Sequence, residues 1–486
     1  MTAASGGQPT NGARLSLEQA LAAANHLLST GRVGEADRLA RQIIAARPDD
    51  PRALCVAGMA AFLADRADEG AALLERAVAL RPDMADAFFN LGKLQMAQAR
   101  IEAAKQAFTR FLELRPDHVL ALNWLGNLLS GDGAHDAAIA AYRRALRIAP
   151  DAPETTVNLA LALSAAGRDA EARGQARRAV ELLPDHDGAH AVLGVVLMQA
   201  GDPERAATSF ERAATLNPGD TRHPINLAIA LHRIGRHQPA LEACERALAR
   251  SPRDTKALHY KTALLALLGR HDERARLVPI DRLVWERAIV PPASSGGLAG
   301  FNRALVEAIL CHPTLAPAAV TRTTRGGRQT ANLLAGATGV LAEFAAIVRR
   351  AVEDYAAHLA ALTDHPMAGP APGNFELNCW ANVLDDGGHQ LSHFHPTSWV
   401  SGVYYPQVPD SIAAGQGDHA GWIAFGRPLE GFDVPGGSPE RWFHPREGIM
   451  LLFPGWLGHR TEPFQADRHR VSMAFDAVPL NQPAAR

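Results

Sequence analysis

At 486 residues the chain is too long for one hydrophobic core, so two or three domains are expected. Apolar content of 47% and charged content of 21% describe a globular protein, and a net charge of −2 leaves no basic excess for general binding to nucleic acid or an anionic membrane. Cys55, Cys244, Cys311 and Cys379 lie far apart without a Cys-x-x-Cys pair, so neither a zinc knuckle nor a disulfide framework is indicated, and a reducing cytoplasm fits.

Residues 1–14 are polar and rich in Gly, Ser and Thr, and read as a disordered N-terminus without the apolar core of a signal peptide. No run of about 18 apolar residues occurs, so no membrane span is expected. From residue 15 to 278 the chain is periodic. Prolines at 48, 82, 116, 150, 184, 218 and 252 are spaced 34 residues apart. The same register carries Gly58, Gly92, Gly126, Ala160, Gly194 and Ala228, where one helix must let its neighbour approach closely. A second small series runs through Ala104, Ala138, Ala172, Ala206 and Ala240, and glycines at 31, 133, 167, 201, 235 and 269 mark the turns between helices.

This period resembles the tetratricopeptide repeat family. The resemblance implies about seven helix pairs plus a capping helix, stacked into a superhelical all-α solenoid whose groove takes a protein or peptide. Asn90, Asn158 and Asn226 occupy one position of alternate repeats, with Trp124 at that position in the repeat between the first two. In the family this position lines the inner surface, where an asparagine amide can hydrogen-bond an extended peptide. Asparagine is also common there as part of the repeat consensus.

The helical pattern fades after Arg276, and residues 279–299 read as a linker with turn-rich Val290-Pro-Pro-Ala-Ser-Ser-Gly-Gly-Leu298. Apolar spacing then predicts helices over 301–310 and 331–361, the latter with Leu341, Phe344, Val348, Val352 and Tyr355 on one face. From Asn374 the period becomes two, predicting a half-buried strand with Phe375, Leu377, Cys379, Ala381 and Val383 on one side. Further strands are expected over 399–408, 421–425, 448–453 and 470–478. Short strands after a helical lead-in fit a double-stranded β-helix, or jelly roll, over 300–480, followed by a 481–486 tail. The whole chain therefore reads as an α+β multidomain protein.

Within that barrel, His393 and His395 stand at i and i+2, so both imidazoles can reach one metal ion from an extended chain. His459 follows 64 residues after His395, and Arg470 comes 11 residues later with Ser472 two places on. Three protein ligands leave coordination positions open, as non-haem iron requires, although zinc also accepts three histidines. A buried arginine beside the metal implies a small anion, with Ser472 able to donate to the same carboxylate. The plainer alternative is that Arg470 lies on the surface within the basic run 468–470.

The stretch His393-Phe-His-Pro-Thr-Ser-Trp-Val-Ser-Gly-Val-Tyr-Tyr405, with Leu452-Phe-Pro-Gly-Trp-Leu-Gly-His459 and Arg470-Val-Ser-Met-Ala-Phe475, resembles a bacterial group of 2-oxoglutarate and Fe(II)-dependent oxygenases. An upstream Thr324-Arg-Gly-Gly-Arg-Gln-Thr330 segment belongs to the same resemblance. It implies Fe(II) on His393, His395 and His459, with the distal carboxylate of 2-oxoglutarate on Arg470 and Ser472. It also implies dioxygen as co-reactant and hydroxylation of a substrate, and the coupling of a peptide-binding type of solenoid to an oxidative site points to a protein or peptide side chain as that substrate. Tyr404 or Tyr405 would add a hydrogen bond to the cosubstrate, and Trp380, Asn382 and Trp399 are candidates for the pocket wall.

In the wider superfamily the second ligand is Asp or Glu, and His395 departs from that. Three neutral imidazoles leave a ferrous ion at +2, which suits a dianionic cosubstrate. Asp410 or Asp418 would supply a carboxylate if their loops fold back. Two other functions remain open: an interaction scaffold with an inactive barrel, and a three-histidine cupin-type dioxygenase that uses no keto acid.

Overall fold

A computed structural model describes residues 15–319, 323–413, 419–427, 432, 434, 439–466 and 468–480; the N-terminal 1–14 and C-terminal 481–486 segments fall outside these. The chain divides into two compact units, the first ending at Asp202 and the second beginning at Pro203. The division lies inside the repeat array, not after it.

The first unit is made of antiparallel helix pairs: Leu17–Ser29 with Val33–Ala46, Pro51–Leu63 with Ala67–Leu80, Ala85–Ala97 with Ile101–Leu114, Val119–Gly131 with His135–Ile148, and Pro153–Ala165 with Asp169–Leu182. Helix starts are chemically marked, as where the Asp50 carboxylate accepts from the Arg52 and Ala53 amides just before Pro51. No pair buries its apolar face alone. Leu54, Leu74, Leu91 and Leu94 come from two successive repeats and share one buried cluster, each such side chain contributing about 1.5–3 kcal/mol of burial. The small-residue series does what its position suggests, since a Cβ on Gly126 would meet the Tyr142 ring at 2.5 Å.

Turn glycines at 31, 133, 167 and 201 all have positive φ, between 71° and 78°. Asp65 (φ 58°) and Ala99 (φ 56°) fill the same register without being glycine. An L side chain in that region costs about 1–2 kcal/mol, offset partly by the extra freedom glycine has when unfolded. Ala99→Gly is therefore expected to stabilise the first unit by about 1 kcal/mol, seen as an unfolding temperature roughly 2–4 °C higher by calorimetry. An unchanged or lower value would show that the left-handed turn is not strained.

In the second unit the repeat helices Arg222–Arg233, His237–Arg250, Thr255–Leu267 and His271–Leu277 precede two antiparallel sheets. The strands are β1 (Trp285–Ala288), β2 (Ala316–Pro317), β3 (Thr324–Gln329), β4 (Phe375–Gln390), β5 (Val400–Gln407), β6 (Ile423–Phe425), β7 (Arg441–Phe443), β8 (Ile449–Pro454), β9 (His459–Thr461) and β10 (Arg470–Pro479). The larger sheet has the order β1-β8-β5-β10-β4-β3-β2, and the smaller is β7-β6-β9. Helices Gly297–Leu310 and Gly339–Ala360 cover the outer face of the larger sheet, where Tyr404 hydrogen-bonds Asn302 and packs on Phe344. The α+β multidomain class, with an α-helical solenoid before a jelly-roll pair of sheets, is the one the sequence implies.

Three local expectations change. The stretch read as a linker holds a short helix, Ile280–Leu283, and strand β1, which pairs with β8 through Trp285↔Leu452. Its turn-rich composition applies only from Val290 onward. The helix expected from residue 331 begins at Gly339, because residues 330–333 run along β4, with the Thr330 and Leu333 amides donating to Ala381 and Cys379. The strand at 374–383 continues to Gln390, and Leu341, Phe344, Val348, Val352 and Tyr355 are all buried as expected.

The last repeat helices pack directly on this sheet domain. His259 is wholly buried, its Nδ1 3.0 Å from the Trp456 carbonyl and its ring stacked on Phe394 at 4.0 Å. Arg274 donates to the Gly426 carbonyl at 2.6 Å, and Arg253 to that of Pro370 at 2.8 Å. Burial pushes the His259 imidazole down to about 4. A folded value below the unfolded value of 6.5 means that stability is present at neutral pH and is lost as pH falls from 6.5 through 4. The loss should be on the order of 3 kcal/mol in denaturant titrations between pH 7 and 4. His259→Phe, which keeps the stack but has nothing to protonate, should make that slope shallower; an identical slope would remove His259 as a contributor.

Candidate metal and cosubstrate site

The sequence brings the metal-site histidines together by irregular backbone as much as by strands. After β4 the chain leaves the sheet, and His393 forms an isolated bridge with the first residue of β9, their amides and carbonyls exchanging bonds of 3.0 and 2.9 Å with His459. The His395 amide donates to the Gly455 carbonyl at 2.8 Å. A glycine is needed at 455, because a Cβ there would lie 2.1 Å from the Ser398 carbonyl. Thus the Gly455-Trp-Leu-Gly458 turn both ends β8 and seats the His-x-His pair.

Ring centroids of His393 and His459 are 4.2 Å apart, with His395 5.3 and 5.2 Å from them. One ring nitrogen from each lies within 4.8 Å of the others, a spacing that a single ion can span. Each Nδ1 is already engaged: that of His393 with the Leu391 carbonyl at 2.7 Å, that of His459 with Leu457 at 3.1 Å, and that of His395 with the Asp476 carboxylate at 2.9 Å. The Nδ1 atoms serve as donors, so the Nε2 lone pairs are left for a metal. Burial, reinforced by the neighbouring imidazoles, pushes His393 down to about 4 and His459 well below its ordinary value. Both are therefore neutral, as metal ligation requires.

These histidines open into a cavity of about 350 Å³ between the two sheets, whose walls include Gln329, Trp380, Tyr405, Ile423, Arg470 and Ser472. Arg470, Ser472 and Ala474 alternate along β10 and so share one face, with Ser472 paired to Asn382 and Ala474 to Trp380 across β4. Arg470 is 1% exposed. One of its terminal nitrogens donates to the Gly421 carbonyl at 2.5 Å, its Nε has no hydrogen-bond partner, and no carboxylate pairs with it among the described residues. Burial holds its pKa below the ordinary arginine range. A wholly buried, half-satisfied guanidinium facing a cavity is costly unless an anion completes it, so the surface alternative for Arg470 fails. The donor set fits a metal ion with a carboxylate-bearing cosubstrate beside it.

Other expected residues fall in different places. Tyr404 faces away from the cavity, toward Asn302, because adjacent strand residues point to opposite faces; Tyr405 lines the wall instead. Trp380 stacks on His395 at 5.8 Å. Asn382 is one step back, accepting from Gln329 at 3.0 Å, and Trp399 is buried outside the cavity wall. Asp410 bonds Arg468 at 2.9 Å at an exposed position away from the histidines, and Asp418 lies outside the described residues. In the repeats, the Asn90 amide donates to Cys55 Sγ at 3.3 Å, Asn158 to Asn123 at 3.2 Å, and Trp124 stacks on Phe89 at 5.2 Å. Asn226 is half-buried.

Fold and cavity together define a repeat protein joined to an oxygenase-type barrel. Residues 378–476 match a family model described as "Putative 2OG-Fe(II) oxygenase", and residues 21–85, 89–153, 157–221 and 192–255 match the tetratricopeptide repeat. The chain is thus a tetratricopeptide-repeat protein carrying a 2OG-Fe(II) oxygenase-family domain. No curated protein matches it. Among solved structures it is similar to YrrB, described as a TPR protein with an unusual peptide-binding site, at 19% identity over 40% of this chain and 97% of that one, with a TM-score of 0.36. It is also similar to the C-terminal part of a TPR repeat-containing protein from Cytophaga hutchinsonii, at 17% identity over 49% and 98% with a TM-score of 0.41. A tetratricopeptide repeat protein from Parabacteroides merdae matches at 14% identity over 48% and 92%, with a TM-score of 0.40. No helix among the described residues is long and apolar enough to cross a membrane.

Proposed function

We propose that the chain is a 2-oxoglutarate- and Fe(II)-dependent dioxygenase that hydroxylates a side chain of a protein or peptide recruited by its repeats. The observation that carries this reading is Arg470: a buried cation with an orphaned Nε, in the same cavity as His393, His395 and His459. His393, His395 and His459 hold Fe(II) through Nε2. Arg470 and Ser472 take the distal carboxylate of 2-oxoglutarate in a charge-assisted fork, and Tyr405 flanks it in place of Tyr404. Bound together with dioxygen, metal and cosubstrate supply the oxidising chemistry, in which decarboxylation to succinate accompanies hydroxylation of the substrate.

The protein's own part is to orient the three rings through their Nδ1 bonds and to keep water from the walls formed by Tyr405, Ile423 and Phe453. In the repeats, Asn90, Trp124, Asn158 and Asn226 are the proposed peptide contacts, each half-buried and so still reachable. The experiment is succinate formation from 2-oxoglutarate with Fe(II) and a panel of candidate peptides. Turnover that depends on both peptide and 2-oxoglutarate supports the reading. Oxygen consumption with iron but without 2-oxoglutarate would favour a cupin-type dioxygenase, and no turnover above a His459→Ala control in iron-loaded protein would leave an interaction scaffold.

A further inference from the structure

His395 stands where a directly coordinating carboxylate is usual, yet a carboxylate is present one bond further out. Asp476 belongs to β10, four residues after Ser472 and on the same face as Arg470 and Ser472. Its two oxygens lie 2.8 and 2.9 Å from His395 Nδ1. Asp476 is itself held: the Ser401 hydroxyl donates to Oδ1 at 2.6 Å, and Ser401 Oγ lies 3.1 Å from Ser398 Oγ, whose own proton goes to the Val400 carbonyl at 2.6 Å. Both serines are 0% exposed. Among the described residues, the other two histidines rest on neutral backbone carbonyls and His395 has the charged support.

Resting on the metal-site reading above, we propose that Asp476, fixed by the Ser401 hydroxyl, is a positioning residue that serves as the metal site's carboxylate through His395. A carboxylate on Nδ1 locks the tautomer, fixes the ring and makes Nε2 a stronger donor. With Asp476 counted, a ferrous centre is surrounded by one negative charge, as with two histidines and a directly bound carboxylate, but one more coordination position is filled by imidazole. The arrangement also gives a physical role to Ser401 of His395-Pro-Thr-Ser-Trp-Val-Ser401, which lies too deep to touch a substrate.

The test is titration of the full chain with Fe(II) under anaerobic conditions and with Co(II), followed by its visible bands, so that no turnover is needed. Asp476→Asn keeps the size and a hydrogen-bond acceptor but loses the charge. It should weaken metal binding about 10- to 100-fold and shift the Co(II) bands, while circular dichroism stays unchanged. In a His395→Ala background the same substitution should add nothing, because its effect runs through that imidazole. Ser401→Ala, a milder second variant, should weaken binding in the same direction and likewise lose its effect without His395. Unchanged affinity in Asp476→Asn and Ser401→Ala, or an equal loss with and without His395, would overturn the proposal. If wild-type protein binds neither metal, or binds as well after His393→Ala and His459→Ala, it is the metal-site reading that fails.

Discussion

His459→Ala should lose metal binding by more than about 100-fold, since removing a ligand costs at least as much as removing its outer-sphere support, and 2-oxoglutarate turnover should fall to background. His459 is the member of the triad most completely enclosed: it opens β9, bridges His393 through two backbone bonds and packs its ring against Phe453 at 4.7 Å. Those backbone bonds do not involve the imidazole, so the substitution leaves the seating of His393 intact. Iron titration monitored by calorimetry, with circular dichroism as the check on folding, measures the effect. Wild-type affinity in the variant would remove His459 from the ligand set.

Arg470→Ala should behave differently, weakening 2-oxoglutarate binding while leaving metal affinity close to that of the wild type. Losing one partner of a buried charge pair costs about 2–5 kcal/mol, which is roughly a 30- to 5,000-fold rise in Kd. Arg470→Lys should recover only part of this, because an ammonium is a point charge without the two-pronged geometry that a carboxylate matches. The apo-protein offers a second readout of opposite sign. Among the described residues Arg470 there is a buried cation whose hydrogen-bond partner is the Gly421 carbonyl, so Arg470→Met should leave thermal stability unchanged or raise it. A large loss of stability together with unchanged 2-oxoglutarate affinity would make Arg470 a structural residue.

The repeat array was readable almost residue by residue, because a 34-residue period repeats one local solution many times and each copy corroborates the others. Ala99 and Asp65 are exceptions in the turn register, where neighbouring copies impose the left-handed conformation on residues that do not favour it. The barrel strand with clear alternation, from residue 374, was equally legible. Strand β1 was hidden within a stretch read as a linker, since four residues carry no periodicity of their own and acquire their structure by pairing with β8. Tyr404 and Tyr405 were indistinguishable until β5 was placed, because two adjacent aromatic residues leave the sign of the alternation open.

By itself the sequence determined the α+β architecture and the repeat solenoid, and it picked out His393, His395, His459, Arg470 and Ser472 as site candidates, for these are written in periods and in short local spacings. Only the tertiary structure decided which distant residues such side chains meet. Asp476 meets His395 across 81 positions of chain, Ser401 meets Asp476 across 75, and His259 reaches from a repeat helix to Trp456 across 197. Contacts of that range leave no spacing rule in a single chain; they exist because sheet pairing and burial bring distant segments together and then require their polar groups to find partners.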